Sequence, residues 1–242
     1  MARIVILSSQ VVGGLIGGSI ARRVLEQAGH EVLLLPTVVL AHYPGHPRNP
    51  GVRAGTTVDG ASLQGMVEAL GKAGFLEACE AVMIGYLAAN EQLDAVQDLI
   101  KRAKAPLFMA PAFGDDHCGF FVEQRIAEGL APMMGQAAYS SMNRWEWDWF
   151  ADQGADLPPQ ALITSWSRTE AKITNRIIDH GAVSSVDVLK RTTDWLVHGL
   201  GDLNAALLLR ELLAGSGFAE AAQSAVKQAQ TRLDPNQIEL RL

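Results

Sequence analysis

The segment Gly199-Leu200-Gly201-Asp202 contains the residue types that phosphoryl transfer requires. It directly precedes Leu203–Leu209, a run of leucine and alanine with one asparagine that predicts a helix. Two glycines before a helix leave successive backbone N–H groups open, and with the positive end of the helix these groups bind anions. Asp202 can accept the proton of an attacking hydroxyl while the amides stabilise the transferred phosphoryl group. The motif therefore predicts a general base beside an anion hole, with a structural helix cap as the alternative.

A second glycine-rich segment lies between the first predicted strand and the first predicted helix, with glycines at positions 13, 14, 17 and 18. Their spacing does not match the G-x-G-x-x-G pattern of dinucleotide-binding loops. The second predicted strand ends in Pro36-Thr37, which offers no carboxylate to a ribose, so NAD binding is not expected. Because glycine has no side chain to block a flat ligand, the segment predicts close approach of a small molecule. Tight packing of the helix on the sheet is the alternative.

The elements that must position these segments alternate between short apolar strands and helices. Strands are predicted at Arg3–Ser8, Glu31–Leu35, Ala81–Gly85, Leu107–Ala110, Ala137–Ser140 and Ala161–Ser165, and a hairpin at Lys172–Val188. Helices are predicted up to Gln27 and at Ser62–Lys72, Glu91–Lys101, Glu123–Leu130, Trp145–Phe150, Asp202–Leu213 and Phe218–Thr231. This alternation predicts a mainly parallel sheet with helices on both faces, and ligands at the carboxyl ends of its strands.

The segment between residues 37 and 57 is rich in proline and glycine, with Pro44, Pro47 and Pro50 at its centre. It predicts a long irregular loop, and loops of that length commonly act as lids or binding loops. We therefore expect it to contact a substrate, with an ordinary surface excursion as the alternative. The chain has no internal repeat, linker or low-complexity stretch, so a single domain over residues 1–242 is predicted.

The composition excludes several classes of protein. The chain of 242 residues is 48% hydrophobic, enough for a sizeable core, and its net charge of −6 provides no basic surface for nucleic acid or anionic membranes. No apolar run approaches the roughly 20 residues of a membrane span. Cys79 and Cys118 form no CxxC pair, which predicts two reduced thiols in a cytoplasmic protein rather than a zinc site or a disulfide framework.

Several segments resemble the pyridoxal kinases of the ribokinase superfamily, in the same order along the chain. Besides the glycine motif that ends at Asp202, these are Ser8–Gly14, Leu35–Val38, Gly85–Leu87, Ala110–Asp115, Asn143–Glu146 and Thr164–Ser165. The resemblance covers nearly the whole chain and implies a ribokinase-like three-layer α/β/α fold with a mainly parallel central sheet. It also implies phosphorylation of the 5′-hydroxymethyl group of pyridoxal, pyridoxine or pyridoxamine with ATP and Mg²⁺, by a homodimer.

The same resemblance assigns roles to individual residues. Asp202 would be the base, and the anion-hole amides would come from Gly199, Leu200 and Gly201. The residues that would hold Mg²⁺, its waters and the triphosphate are Asp115, Asn143 and Glu146, with Asp115 and Glu146 nearest the metal. The nucleotide phosphates would also contact Thr164 and Ser165. The residues that would line the pyridine pocket are Ser9, Thr37 and Tyr86.

Two positions depart from the family pattern. Ala110 stands where the family has the leading aspartate of an Asp-Pro-Val-Met-Gly-Asp-like segment, and Met142 stands where it has a proline. Ala110 removes a carboxylate near the expected metal. Two alternatives therefore stay open: a hydroxymethylpyrimidine kinase of thiamine synthesis, and a catalytically impaired homologue that binds the vitamers.

Overall fold

The computed structural model of the protein describes residues 1–46, 54–191 and 198–233. Its strands are β1 Arg3–Val11, β2 Glu31–Leu40, β3 Gly55–Thr57, β4 Ala81–Ile84, β5 Leu107–Met109, β6 Gly114–Asp115, β7 Gly119–Phe120, β8 Tyr139–Asn143, β9 Gln160–Arg168, β10 Lys172–Asp179 and β11 Ala182–Leu189. Its α-helices are α1 Gly17–Gln27, α2 Gly60–Lys72, α3 Leu93–Ala103, α4 Gln124–Met134, α5 Arg144–Asp152, α6 Leu200–Leu213 and α7 Phe218–Thr231. A short 3₁₀ helix at Asn90–Gln92 precedes α3.

A nine-stranded sheet forms the middle layer, in the order β11-β10-β9-β8-β5-β4-β1-β2-β3. The six strands from β9 to β2 are parallel to their neighbours, while β10, β11 and β3 add antiparallel strands at the two edges. Helices α1, α6 and α7 cover one face, and α2 to α5 cover the other. The predicted three-layer α/β/α architecture is therefore confirmed.

Burial on both faces explains why the central strands are continuously apolar in the sequence. In β1, Ile4 and Ile6 point to the layer of α1, α6 and α7, and Val5 and Leu7 point to the opposite layer. All four side chains are fully buried. Burial of each such side chain contributes about 1.5–3 kcal/mol, so a polar residue at any of them would weaken the sheet.

The loop predicted over residues 37–57 is wrong at both ends. β2 continues through Pro36 to Leu40, and β3 pairs with it antiparallel, with Gly55 opposite Leu40. Pro36 is tolerated because the pairing of β1 with β2 becomes irregular there, between Ser8 and Gln10. The centre of the predicted loop, residues 47–53, lies outside the described ranges.

Gly17 and Gly18, the first two residues of α1, are explained by packing rather than by a ligand. A Cβ on Gly17 would lie 1.9 Å from the Ser9 Oγ, and Gly17 has a φ of +58°, which favours glycine. A Cβ on Gly18 would lie 2.7 Å from the Ser9 carbonyl oxygen. The alternative of tight helix–sheet packing is therefore the better interpretation at these two positions.

Cys79 and Cys118 are both free thiols, Cys79 partly buried and Cys118 exposed. Across the described residues, no helix combines the length and apolar character needed to cross a bilayer.

Candidate active site

Asp202 lies in the first turn of α6, at the carboxyl-end edge of the sheet where β1 runs into the glycine-rich loop. Gly199 begins the helix with a φ of +84°, and a Cβ there would lie 2.5 Å from the Leu15 carbonyl oxygen. The backbone N–H of Gly17 donates to Asp202 Oδ2 at 2.8 Å. The two glycine-rich segments singled out in the sequence therefore meet, and the predicted base lies between them.

The surroundings of Asp202 suit a general base. Burial raises the pKa of its carboxyl group to about 6, although the hydrogen bond from Gly17 opposes that rise. The residue as a whole keeps some exposed surface. A base whose pKa lies just below neutral is ionised at physiological pH and can still take up a proton.

The three residues predicted to line the pyridine pocket come from three adjacent strands. Ser9 and Thr37 lie in the carboxyl-terminal halves of β1 and β2, and Tyr86 lies just beyond β4. Ser9 lies beneath Gly17, and hence close to the residue that binds Asp202. Thr37 is fully buried, and its hydroxyl donates to the Tyr86 carbonyl oxygen at 2.8 Å. The Tyr86 N–H in turn donates to Ser8 Oγ at 3.2 Å. The structure thus brings these residues together with Asp202, and the Thr37 hydroxyl holds the segment after β4 in place through Tyr86.

Gln92, for which the sequence predicted no role, completes this arrangement. Its side chain is fully buried. The Nε2 group donates to the carbonyl oxygens of Thr37 and Val58, each at 2.7 Å. Its Oε1 accepts from the N–H groups of Ala88 and Ala89. Gln92 therefore ties the ends of β2 and β4 together beside the predicted pocket.

Asn143 and Glu146 form a capping box at the start of α5. Asn143 Oδ1 accepts from the Glu146 N–H at 2.9 Å, and Glu146 Oε2 accepts from the Asn143 N–H at 3.2 Å. The other carboxylate oxygen of Glu146 accepts from the N–H groups of Phe113 and Gly114. Burial raises the pKa of Glu146 to about 8, and these three N–H donors oppose the rise. Glu146 therefore connects α5 to the segment that leads into β6.

These contacts bear on the predicted metal site. Both oxygens of Glu146 are occupied by backbone N–H groups, so the structure indicates that it positions the site rather than coordinating a metal directly. Asp115 is partly exposed and is bonded to His117 at 2.9 Å. Within the described ranges, no group of three or more acidic, histidine or cysteine side chains is placed so that it could hold a metal ion by itself. The donors present fit the usual binding of Mg²⁺, which keeps several waters and uses one or two carboxylates with substrate phosphates.

Thr164 and Ser165, predicted to contact the nucleotide phosphates, lie at the end of the parallel part of β9. Thr164 pairs with Asn143 of β8, and its hydroxyl donates to the Met142 carbonyl oxygen at 3.3 Å. Ser165 has a φ of +54°, and its N–H donates to the buried Asn175 Oδ1 at 3.0 Å. The structure therefore brings the two residues next to Asn143, as the assignment of a shared phosphate site requires.

His198 is a site residue that the sequence reasoning missed. Its ring lies 4.7 Å from that of Tyr43, and a Cβ on Gly45 would lie 3.1 Å from its Nε2 atom. Burial lowers the pKa of His198, the nearby His117 lowers it further, and Asp115 opposes both. The segment after β2 therefore packs at His198 against the start of α6. Its place directly before Gly199 is the one sequence signal that could have indicated this.

Comparison with known proteins agrees with the resemblance seen in the sequence, although no family model matches the chain. Pyridoxal kinase PdxY of Rubrobacter xylanophilus is 27% identical over 238 residues, which cover 89% of this chain and 81% of that protein. The pyridoxine/pyridoxal/pyridoxamine kinase of Bordetella avium is 25% identical over 248 residues, which cover 91% of this chain and 81% of that protein. Over most of its length, the chain is therefore similar to kinases of the B6 vitamers.

Solved structures show the same fold. Pyridoxal kinase of Leishmania donovani, in complex with ADP and pyridoxamine, has a TM-score of 0.78 and 19% identity over 96% of this chain and 86% of that one. A candidate phosphomethylpyrimidine kinase of Bacteroides thetaiotaomicron, in a crystal form with pyridoxal, has a TM-score of 0.79 and 17% identity over 93% and 85%. The chain has the ribokinase-like fold of these kinases, as the sequence predicted.

Proposed function

We propose that this chain, which has the fold of the pyridoxal kinases, is an ATP-dependent kinase of the 5′-hydroxymethyl group of pyridoxal, pyridoxine or pyridoxamine. Relatives that match most of its length are named as kinases of these vitamers. Asp202 is the residue on which this function depends. Its carboxylate lies in the first turn of α6, next to the predicted pocket residue Ser9 and beside the backbone amides of Gly199, Leu200 and Gly201, which begin the helix.

The reaction that this geometry supports is direct transfer of the γ-phosphoryl group. Asp202 takes the proton of the substrate hydroxyl while the hydroxyl oxygen attacks the γ-phosphorus. The bond from that phosphorus to the ADP oxygen breaks, and ADP leaves. The amides at the start of α6 stabilise the negative charge of the transferred group. Mg²⁺ would neutralise phosphate charge, held by Asp115 through its waters, while Asn143, Thr164 and Ser165 orient the phosphates.

Two other functions remain distinguishable. A hydroxymethylpyrimidine kinase has the same chemistry on a similar flat alcohol, and one structural neighbour is described as a candidate kinase of that kind. That neighbour's crystal form nevertheless contains pyridoxal, which favours the vitamin B6 substrates. A binding protein without turnover is motivated by Ala110, which supplies no carboxylate. The complete pair of base and anion hole at Asp202 favours the enzyme.

Magnesium dependence, a homodimer and a cytoplasmic location belong to the same proposal. The partly exposed Asp115 supports the use of Mg²⁺, because its carboxylate is open to a metal that keeps its own waters. The homodimer is proposed from the resemblance to pyridoxal kinases. The cytoplasmic location is proposed from the same resemblance and from the free thiols of Cys79 and Cys118. Chelation of Mg²⁺ should abolish turnover, and light scattering should give the mass of two chains.

Release of ADP, measured with Mg·ATP and each of the three vitamers or hydroxymethylpyrimidine, tests the function. We expect the highest kcat/KM with a vitamer, and the 5′-phosphate as the product. A higher kcat/KM with the pyrimidine would assign the protein to thiamine synthesis. Tight binding of pyridoxal without any ADP release would make it a binding protein.

The pKa of Asp202 predicts how the rate changes with pH. Since the ionised carboxylate is required, kcat/KM should fall about tenfold for each pH unit below about pH 6 and be level above it. Initial rates with pyridoxine and with pyridoxamine separate the titration of the enzyme from that of the substrate. A midpoint that differs between the two vitamers would assign the titration to the substrate.

A further inference from the structure

Trp166 is in contact with two arginines at the edge of the candidate nucleotide site. The guanidinium carbon of Arg176 lies 3.3 Å from the centre of the indole ring, and that of Arg144 lies 4.8 Å from it. Arg144 also donates from Nη1 to the Trp166 carbonyl oxygen at 3.1 Å. Contact with an aromatic face holds a guanidinium in one place while its N–H groups stay available in the plane.

This cluster lies directly beyond the residues assigned to the nucleotide phosphates. Arg144 follows Asn143 as the first residue of α5, and Trp166 follows Ser165. The last pair between β8 and β9 joins Asn143 to Thr164, and β9 then continues to Arg168. Beyond that pair β9 is bonded to β10 alone, so it projects past the carboxyl edge of β8.

A β-bulge between β9 and β10 sets the direction of the Trp166 and Arg176 side chains. The pairing of β9 with β10 shifts between Thr174 and Arg176, and Ser165 takes its positive φ within the shift. The buried Asn175 fixes this conformation through its bond from the Ser165 N–H. Bulges redirect side chains and recur next to active sites. Here the bulge lies at the level of Trp166, opposite the strand that provides Arg176.

The two arginines differ in how much of their charge is already compensated. Arg144 forms an exposed ion pair with Asp148 at 3.1 Å, which is weak in water. Arg176 forms no ion pair within the described part of the chain. Lys172, which projects from the same strand, is paired with Asp187 at 2.6 Å. Arg176 is therefore a fixed cation whose charge remains available to a ligand.

We propose that Arg176 and Arg144, held against Trp166, bind the polyphosphate tail of the nucleotide. This inference rests on the proposed kinase function and adds residues that specify its phosphate donor. A chain with a net charge of −6 attracts a polyphosphate only through local cations. Planar guanidinium groups suit phosphate oxygens because they donate two parallel hydrogen bonds. Trp166 is a positioning residue that acts through the arginines.

Arg176→Met tests the role, because methionine keeps an apolar stem against Trp166 and removes the charge. We expect the KM for ATP and the Kd for ADP to rise about tenfold, since a charge-assisted hydrogen bond is lost. The values of kcat and of the Kd for pyridoxal should change by less than about threefold. Arg168→Met, in the same projecting part of β9, is the matched control and should leave all four values unchanged.

Binding of tripolyphosphate by calorimetry separates this inference from the kinase function. If the wild type turns over vitamers but Arg176→Met has an unchanged KM for ATP and an unchanged Kd for ADP, the proposed arginine site is wrong and the kinase function holds. If no vitamer is phosphorylated but tripolyphosphate binds and Arg176→Met weakens that binding, the arginine site holds and the kinase function is wrong. A lower melting temperature with unchanged nucleotide binding would reduce the cluster to a structural role and overturn the proposal.

Discussion

Asp202→Asn is expected to lower kcat for pyridoxal phosphorylation by about 10²–10⁴-fold, the usual contribution of a general base. The asparagine side chain can still accept the Gly17 N–H through its oxygen, so the start of α6 should keep its position. Neither the Kd for ADP nor the Kd for pyridoxal should change by more than about threefold, because the carboxylate acts on the hydroxyl proton during the transfer step and not on substrate binding. Single-turnover rates and calorimetric titrations measure the two effects separately.

The same variant should be more stable than the wild type near neutral pH. The folded pKa of Asp202, about 6, lies above the value of 3.8 in the unfolded chain, so the folded state binds the proton more tightly. The stability due to that proton is complete below the unfolded pKa and is lost as the pH rises through about 6. At pH 8 the wild type therefore contains a buried negative charge that the asparagine variant lacks. This charge lowers the free energy of unfolding of the wild type by up to about 3 kcal/mol.

Asp152→Asn is the control, since it makes the same change at the exposed end of α5. It should alter neither the rate nor the melting temperature. An Asp202→Asn protein that keeps more than about a tenth of the wild-type kcat would remove Asp202 from the chemistry. One that is inactive and also less stable than the wild type would point to a structural cap instead.

The parts of the fold that the sequence predicts well are those with a single dominant cause. β1 and the strands beside it are buried on both faces, so their apolar runs are unambiguous, and Phe218–Thr231 is predicted at the bounds that the structure shows. The continuation of β2 was missed because Pro36 is typical of a strand end. The β6–β7 hairpin was missed because two-residue strands have no periodicity.

The candidate site divides in the same way. The motif that ends at Asp202 is local, so its position at a helix start followed from the sequence. Its contact with Gly17 joins residues 185 positions apart, and no local pattern predicts it. The contact of Arg176 with Trp166 lies at a bulge in which the buried Asn175 accepts the Ser165 N–H. Such contacts depend on tertiary structure, which propensity and spacing do not describe.

Glu146→Ala is expected to be the most destabilising single change in the site, by about 3–5 kcal/mol. It would leave the N–H groups of Phe113, Gly114 and Asn143 without their acceptor in a buried place, and each such group costs about 1–3 kcal/mol. It would also open a cavity, because the Glu146 side chain is buried. Urea unfolding followed by tryptophan fluorescence measures the loss.

The matched control is Asp152→Ala, on the exposed end of the same helix, which should change stability by less than about 0.5 kcal/mol.

Glu146→Gln adds a test that depends on pH. The pKa of Glu146 is raised to about 8 in the folded state, so its stabilising proton is present below the unfolded value of 4.5 and is lost as the pH rises through 8. The advantage of the wild type over the glutamine variant should therefore shrink between about pH 5 and pH 9. A constant difference across that range would show that Glu146 is ionised throughout, with its three N–H donors outweighing burial.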